Sequence, residues 1–146
     1  MSNRPKIDEP FVSPEAIAEM VRLFESCELP YERWTHRAHL AVAASYLQHY
    51  PHPQALERVR ANIQKYNVAL GDPKGYHETI TVLFMKLVAR EMTGNANLHD
   101  IVNGLNDRCK VSWLLEYYSE ALLWSAEARA TFVEPDRKPL DFLDFL

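Results

Sequence analysis

A chain of 146 residues is the usual size of one domain and long enough to bury a core. With 47% hydrophobic and 25% charged residues and a net charge of −4, it carries no basic footprint for nucleic acid or an anionic membrane surface. Cys27 and Cys109 are its two cysteines and belong to no Cys-x-x-Cys pair, no apolar run approaches the ~20 residues of a membrane span, and the first residues hold no apolar leader. A reducing cytoplasm is the expected compartment.

Residues 1–12 are polar, include Pro5 and Pro10, and predict a flexible N-terminal arm. Ser13-Pro14-Glu15 is a helix start: serine caps, proline suits the first helical position, and glutamate suits the positive helix end. Ile17, Met20, Val21 and Phe24 follow at helical spacing, so a first helix covers about 13–27. Thr35 caps a second, over about 35–50, which Pro51 and Pro53 end. Its inward stripe, His36, His39, Leu40, Ala43, Tyr46, Leu47 and Tyr50, lies within a sector of about 120°.

A third helix over about 53–70 buries Leu56, Val59, Ile63 and Tyr66, and Gly71-Asp72-Pro73-Lys74-Gly75 forms a turn. The fourth covers about 77–92 with the stripe His77, Ile80, Thr81, Phe84, Leu87 and Val88. Asn97 with Asp100 predicts a capped short helix to about 105. Segment 112–124 is apolar on several sides and predicts a central helix, with 125–132 continuing it or turning away. The irregular tail 133–146 ends in Leu140, Phe142, Leu143, Phe145 and Leu146, which are expected to pack on their own domain or to join two copies into a homo-oligomer. Nothing alternates like a strand. The expected fold is all-α, a single irregular up-and-down bundle of five or six helices over 13–132.

Short connections favour antiparallel neighbours, so helices two and four should start at the same end of the bundle, where helix one finishes. His36, His39 and His77 would then converge, with Cys27 close by. The positive ends of the two helices disfavour imidazolium, so neutral rings are expected at His36 and His77, fit to bind a metal, accept a proton or donate a hydrogen bond.

One expectation is a mononuclear metal site for zinc, iron, nickel or copper. His36, His39 and His77 would be its ligands, and Cys27 or Glu78 a fourth. His77 and Glu78 are the candidate catalytic pair; Thr35, Arg37 and Tyr76 would bind or orient substrate. The zincin pattern is excluded because Thr81 stands where its second histidine belongs, and no Glu-x-x-His of the di-iron bundles occurs. Glu91 would lie about 21 Å from His77 and cannot join it. A second expectation is a metal-free pocket for a small polar or anionic ligand, using free N–H groups at the helix starts with Arg37 and Lys74. The alternative from another class is a non-enzymatic interaction or structural module whose histidines are core hydrogen-bonders.

Trp34-Thr35-His36-x-Ala38-His39-Leu40, Gly75-Tyr76-His77-Glu78-Thr79-Ile80-Thr81 and Val133-Glu134-Pro135-Asp136 resemble blocks in a group of small, uncharacterised bacterial helical proteins. The resemblance covers most of the chain from about Phe24 onward. It implies a helical fold and brings no activity with it.

Overall fold

The computed structural model describes residues 5–92 and 97–140. Five longer helices run in order: α1 (Pro14–Glu25), α2 (His36–His49), α3 (His52–Ala69), α4 (Glu78–Glu91) and α5 (Leu98–Arg108). A 3₁₀ turn, Tyr31–Arg33, precedes α2, and another, Val111–Glu116, leads into short α6 (Glu120–Leu123) and α7 (Ala126–Ala130). No strand occurs among the described residues, and the fold is an all-α bundle.

The middle of the bundle is α2, which packs on α1, α3, α4 and α5. It is buried on nearly every side through Ala38, Leu40, Ala41, Val42, Ala43, Ala44 and Tyr46, so the expected single stripe is too narrow. The alanines have almost no side chain to keep neighbouring helices away, and a helix apolar all round belongs in an interior. Segment 112–124, expected to be the central helix, is instead a 3₁₀ turn, a break and α6. The break has a cause: Ser119 donates from N–H and hydroxyl to the Asp136 carboxylate, at 2.7 and 2.6 Å. Its hydroxyl oxygen also accepts from Leu122 N–H and so starts a new helix. Leu114, Tyr118 and Leu123 are buried by turning the chain, not by one helical face.

The helix starts follow their caps. Ser13, Thr35 and Ser125 accept from Ala16, Ala38 and Ala128 N–H respectively. The fourth start is shifted by one residue, because His77 itself is the cap of α4. Asn97 makes no side-chain cap bond, so that predicted box does not form at α5.

Both α1 and α3 end in the same way. Glu28 N–H reaches back to Leu23 O at 2.8 Å and Cys27 N–H to Phe24 O; Asp72 N–H reaches Asn67 O at 2.7 Å and Gly71 N–H to Val68 O. This pairing is the Schellman cap, which needs a left-handed residue next to the helix. At α3 that residue is Gly71 with φ 88°, whereas α1 uses Cys27 at φ 63°.

The described part of the arm is tied down rather than loose. Ile7 N–H donates to Glu32 O, Lys6 donates to Tyr31 O and Trp34 O, and Asn103 bonds both backbone groups of Phe11. In the tail, Tyr118 donates to Val133 O, Arg137 N–H to Tyr117 O, and Leu140 packs on the core. Phe142, Leu143, Phe145 and Leu146 lie outside the described residues.

A non-glycine residue in the left-handed region costs roughly 1–2 kcal/mol, against ~0.5–1 kcal/mol of extra chain entropy that glycine brings to the unfolded state. Cys27→Gly is therefore expected to raise stability by about 0.5–1 kcal/mol in urea denaturation, and Cys27→Val to lower it. A loss of stability in the glycine variant would contradict the cap.

Candidate functional site

A cavity of about 440 Å³ opens between the starts of α2 and α4 and the C-terminal helices. Its apolar wall includes Trp34, Leu40, Ile80, Phe84, Met85 and Trp124. His36, His39, His77 and Tyr76, four of the candidates, line it together. Thr35, Arg37 and Glu78 do not.

His36 donates from Nε2 to Cys109 O at 2.8 Å, and its ring meets Phe84 edge-on. His39 donates from Nδ1 to Thr35 O at 2.7 Å. A carbonyl oxygen only accepts, so each bond fixes the tautomer of a neutral ring. The second nitrogens, His36 Nδ1 and His39 Nε2, are thereby bare acceptors, and no described residue bonds to them. Neither counts among the buried atoms lacking a partner, and both residues line the cavity. His39 is held flat, stacked 3.7 Å from Trp34, which itself stacks on Phe24 at 4.6 Å.

The rings are kept neutral chiefly by burial. Desolvation pulls the His39 pKa down to about 4 and lowers that of His36, against the opposing pull of their carbonyl partners. The direction matches the expectation from the helix ends, but the cause is different.

His77 is spoken for at both nitrogens. Nε2 donates to Leu123 O at 2.6 Å, while Nδ1 accepts from Ile80 N–H at 3.2 Å as the cap of α4. It keeps no lone pair for a metal or for proton abstraction, and in this respect it is the core hydrogen-bonder of the alternative reading. Two residues on, the buried Thr79 hydroxyl lies 2.7 Å from Ala128 O and 2.9 Å from Thr131 O, and accepts from Val133 N–H. His77 and Thr79 together fasten α6 and α7 to α4.

Glu78 is likewise committed, to the Arg60 fork at 2.9 and 2.6 Å and to the Tyr76 hydroxyl at 2.6 Å. Arg60 holds its carboxyl below the usual range, which suits an anchor and not a base. Arg37 points to the opposite side of α2, where it binds Asp8 at 2.9 Å and Asn103 at 2.6 Å and pins the arm. Thr35 spends its hydroxyl oxygen on the α2 cap. Among the described residues no three His, Cys, Asp or Glu side chains are grouped to hold a metal ion, and Cys27 is not in the cavity wall.

Several lining groups escaped the sequence reading: Lys6, Asn67, Asp72 and Arg129. Lys6 spends its ammonium on two carbonyls and lies 3.3 Å over the Tyr31 ring. Asn67 is only 6% exposed, and its side-chain amide makes no hydrogen bond to a described residue. Arg129 lies over Trp124 at 5.6 Å. Only Asp72 had a sequence cue, its place in the Gly-Asp-Pro-Lys-Gly turn. There the absence of a side chain at Gly75 makes room for the Asp72 carboxylate and the Asn67 amide, on which a Cβ would close to 3.2 Å or less.

Because the unfolded His39 titrates near 6.5 and the folded one near 4, the unfolded chain binds more protons between these values. Stability is full above about pH 6.5 and falls as pH drops through 4, by on the order of 3 kcal/mol for this residue. Chemical denaturation at pH 7.5 and 5 should show the loss, and His39→Gln should reduce it. An unchanged loss in the variant would clear His39 of the effect. Independently, His77→Ala should cost about 1–3 kcal/mol, since it orphans the Leu123 carbonyl and removes a cap. A melt no lower than wild type would deny His77 its tethering part.

No helix among the described residues is long and apolar enough to cross a membrane. Comparison with family models, with curated proteins and with solved structures finds no match.

Proposed function

We propose that this domain binds a small organic molecule in the cavity at the starts of α2 and α4. The molecule presents at least one N–H or O–H donor to His36 Nδ1 or His39 Nε2. The observation that carries this reading is the pair of neutral imidazoles in the cavity wall, each fixed by a carbonyl at one nitrogen and without a bond to a described residue at the other. About 440 Å³ of mostly apolar wall with a few convergent polar groups is the ordinary make-up of a small-molecule site. Binding is favoured over proton abstraction. A general base works best with a pKa near the operating pH, and the His39 pKa near 4 is well below it.

A metal-dependent form of the same site draws support from one feature. Histidines that ligate metals donate their other ring N–H to a carbonyl or carboxylate, as His36 and His39 do here. Zinc or nickel would then sit on these two nitrogens, with the remaining positions filled by the bound molecule or water. His77 would have no part in it.

Indole separates these readings, being neutral, flat and a single N–H donor. Titrated calorimetrically into untagged protein treated with EDTA, it should bind, and His39→Phe should weaken it at least tenfold. Binding restored only by added zinc would favour the metal form. No heat with or without zinc would sink the cavity as a binding site.

A further inference from the structure

The charges in the cavity wall say more about what enters it. Among the described residues three charged side chains line it, Lys6, Asp72 and Arg129. Lys6 is already turned onto the Tyr31 and Trp34 carbonyls. Asp72 and Arg129 form no ion pair and no side-chain hydrogen bond with any described residue. They are of opposite sign, share one cavity, and do not pair with each other. Arg129 rests on the face of Trp124, leaving its N–H edge free of any described acceptor.

Both charges lie beside the same short stretch, Gly75-Tyr76-His77. The Asp72 carboxylate is packed against Gly75, where even a methyl group would collide with it. Arg129 lies 5.6 Å over the Trp124 ring, which in turn meets the His77 ring edge-on at 5.6 Å. Asp72 and Arg129 thus place charges of opposite sign in the wall of one cavity. Asn67 adds an amide, more than nine-tenths buried and without a described partner, next to Asp72. The bare nitrogens of His36 and His39 belong to α2, a different wall.

We infer that the ligand is a zwitterion of the amino-acid class: its carboxylate on Arg129, its ammonium on Asp72 with Asn67, and an apolar or aromatic side chain whose donor meets His36 or His39. The inference rests on the proposal that this cavity is a binding site. Two unpaired receptors of opposite sign in one cavity suit a zwitterion better than a ligand with a single charge. An acid without the amine would leave Asp72 facing an unpaired anion, and an amine without the acid would do the same to Arg129. The walls of Trp34, Phe84 and Trp124 suit a flat ring.

A set of four probes tests each contact by calorimetry: L-tryptophan, tryptamine, indole-3-propionate and L-phenylalanine. L-tryptophan should bind at least tenfold more tightly than tryptamine, which lacks the carboxylate, and indole-3-propionate, which lacks the ammonium. L-phenylalanine, without a ring donor, should be weaker as well. Arg129→Met should bring L-tryptophan down to the level of tryptamine, and Asp72→Asn should bring it down to that of indole-3-propionate. Indole binding with no preference for L-tryptophan over its two truncated forms would overturn the zwitterion and leave the cavity reading standing. Failure of indole itself would remove the cavity reading, and this inference with it. Indole-3-propionate equal to L-tryptophan would assign the site to simple acids and overturn the part given to Asp72.

Discussion

Everything in this fold depends on α2 being enclosed by four other helices. An enclosed helix cannot leave polar side chains to water, because an unsatisfied buried donor or acceptor costs about 1–3 kcal/mol. Its first turn carries His36, Arg37 and His39, and each is answered by protein. Arg37 takes Asp8 and Asn103, and the price of burying its charge draws the N-terminal arm and α5 onto the same face. The two histidines are satisfied at one nitrogen only, by Cys109 and Thr35. What remains of their hydrogen-bonding capacity belongs to residues that line the cavity. Packing and site are set by one constraint.

The second half of the wall is assembled by Gly75-Tyr76-His77-Glu78-Thr79, and here capping does the construction. His77 and Thr79 hold carbonyls of α6, α7 and the segment just beyond, while Tyr76 and Arg60 converge on Glu78. Apart from the Tyr76–Glu78 bond, these join residues far apart in sequence. The tether carries Trp124 and Arg129 to the cavity, and the Arg60–Glu78 pair ties α3 to α4 across the bend that contains Asp72. Residues that read as a reactive cluster in sequence are the fasteners of the site.

The helices and most of their starts were legible because capping and apolar spacing are local signals, as at Ser13-Pro14-Glu15 and Thr35. The antiparallel path anticipated one shared cavity wall for His36, His39 and His77, but among the described residues they are not grouped to hold a metal ion. Their chemistry was not legible, because a ring's role depends on which carbonyl lies 2.6–2.8 Å from it, and Cys109 and Leu123 are far away in sequence. Centrality was misread for a related reason. Alanines at 38, 41, 43 and 44 give a weak hydrophobic signal though they permit the closest packing, while large residues at 113–118 give a strong one and turn out to line a broken segment. The Ser119–Asp136 clamp that breaks it spans 17 residues, beyond any local pattern.

A site with fixed acceptors selects differently from an apolar hollow. An apolar wall rejects a ligand that is one methylene too small by only ~1–3 kcal/mol, and scarcely resists an added hydroxyl. Under the proposed function, His36 and His39 cannot rotate to suit a poor ligand, since their other nitrogens are held by backbone and His39 is stacked against Trp34. A ligand with an acceptor in that place would set lone pair against lone pair, and neither ring takes up a proton readily at neutral pH to relieve the clash. Discrimination therefore comes from enforced neutrality as much as from shape. The burial that lowers the affinity of these rings for a proton also keeps the cavity's demand for a donor constant through the neutral pH range.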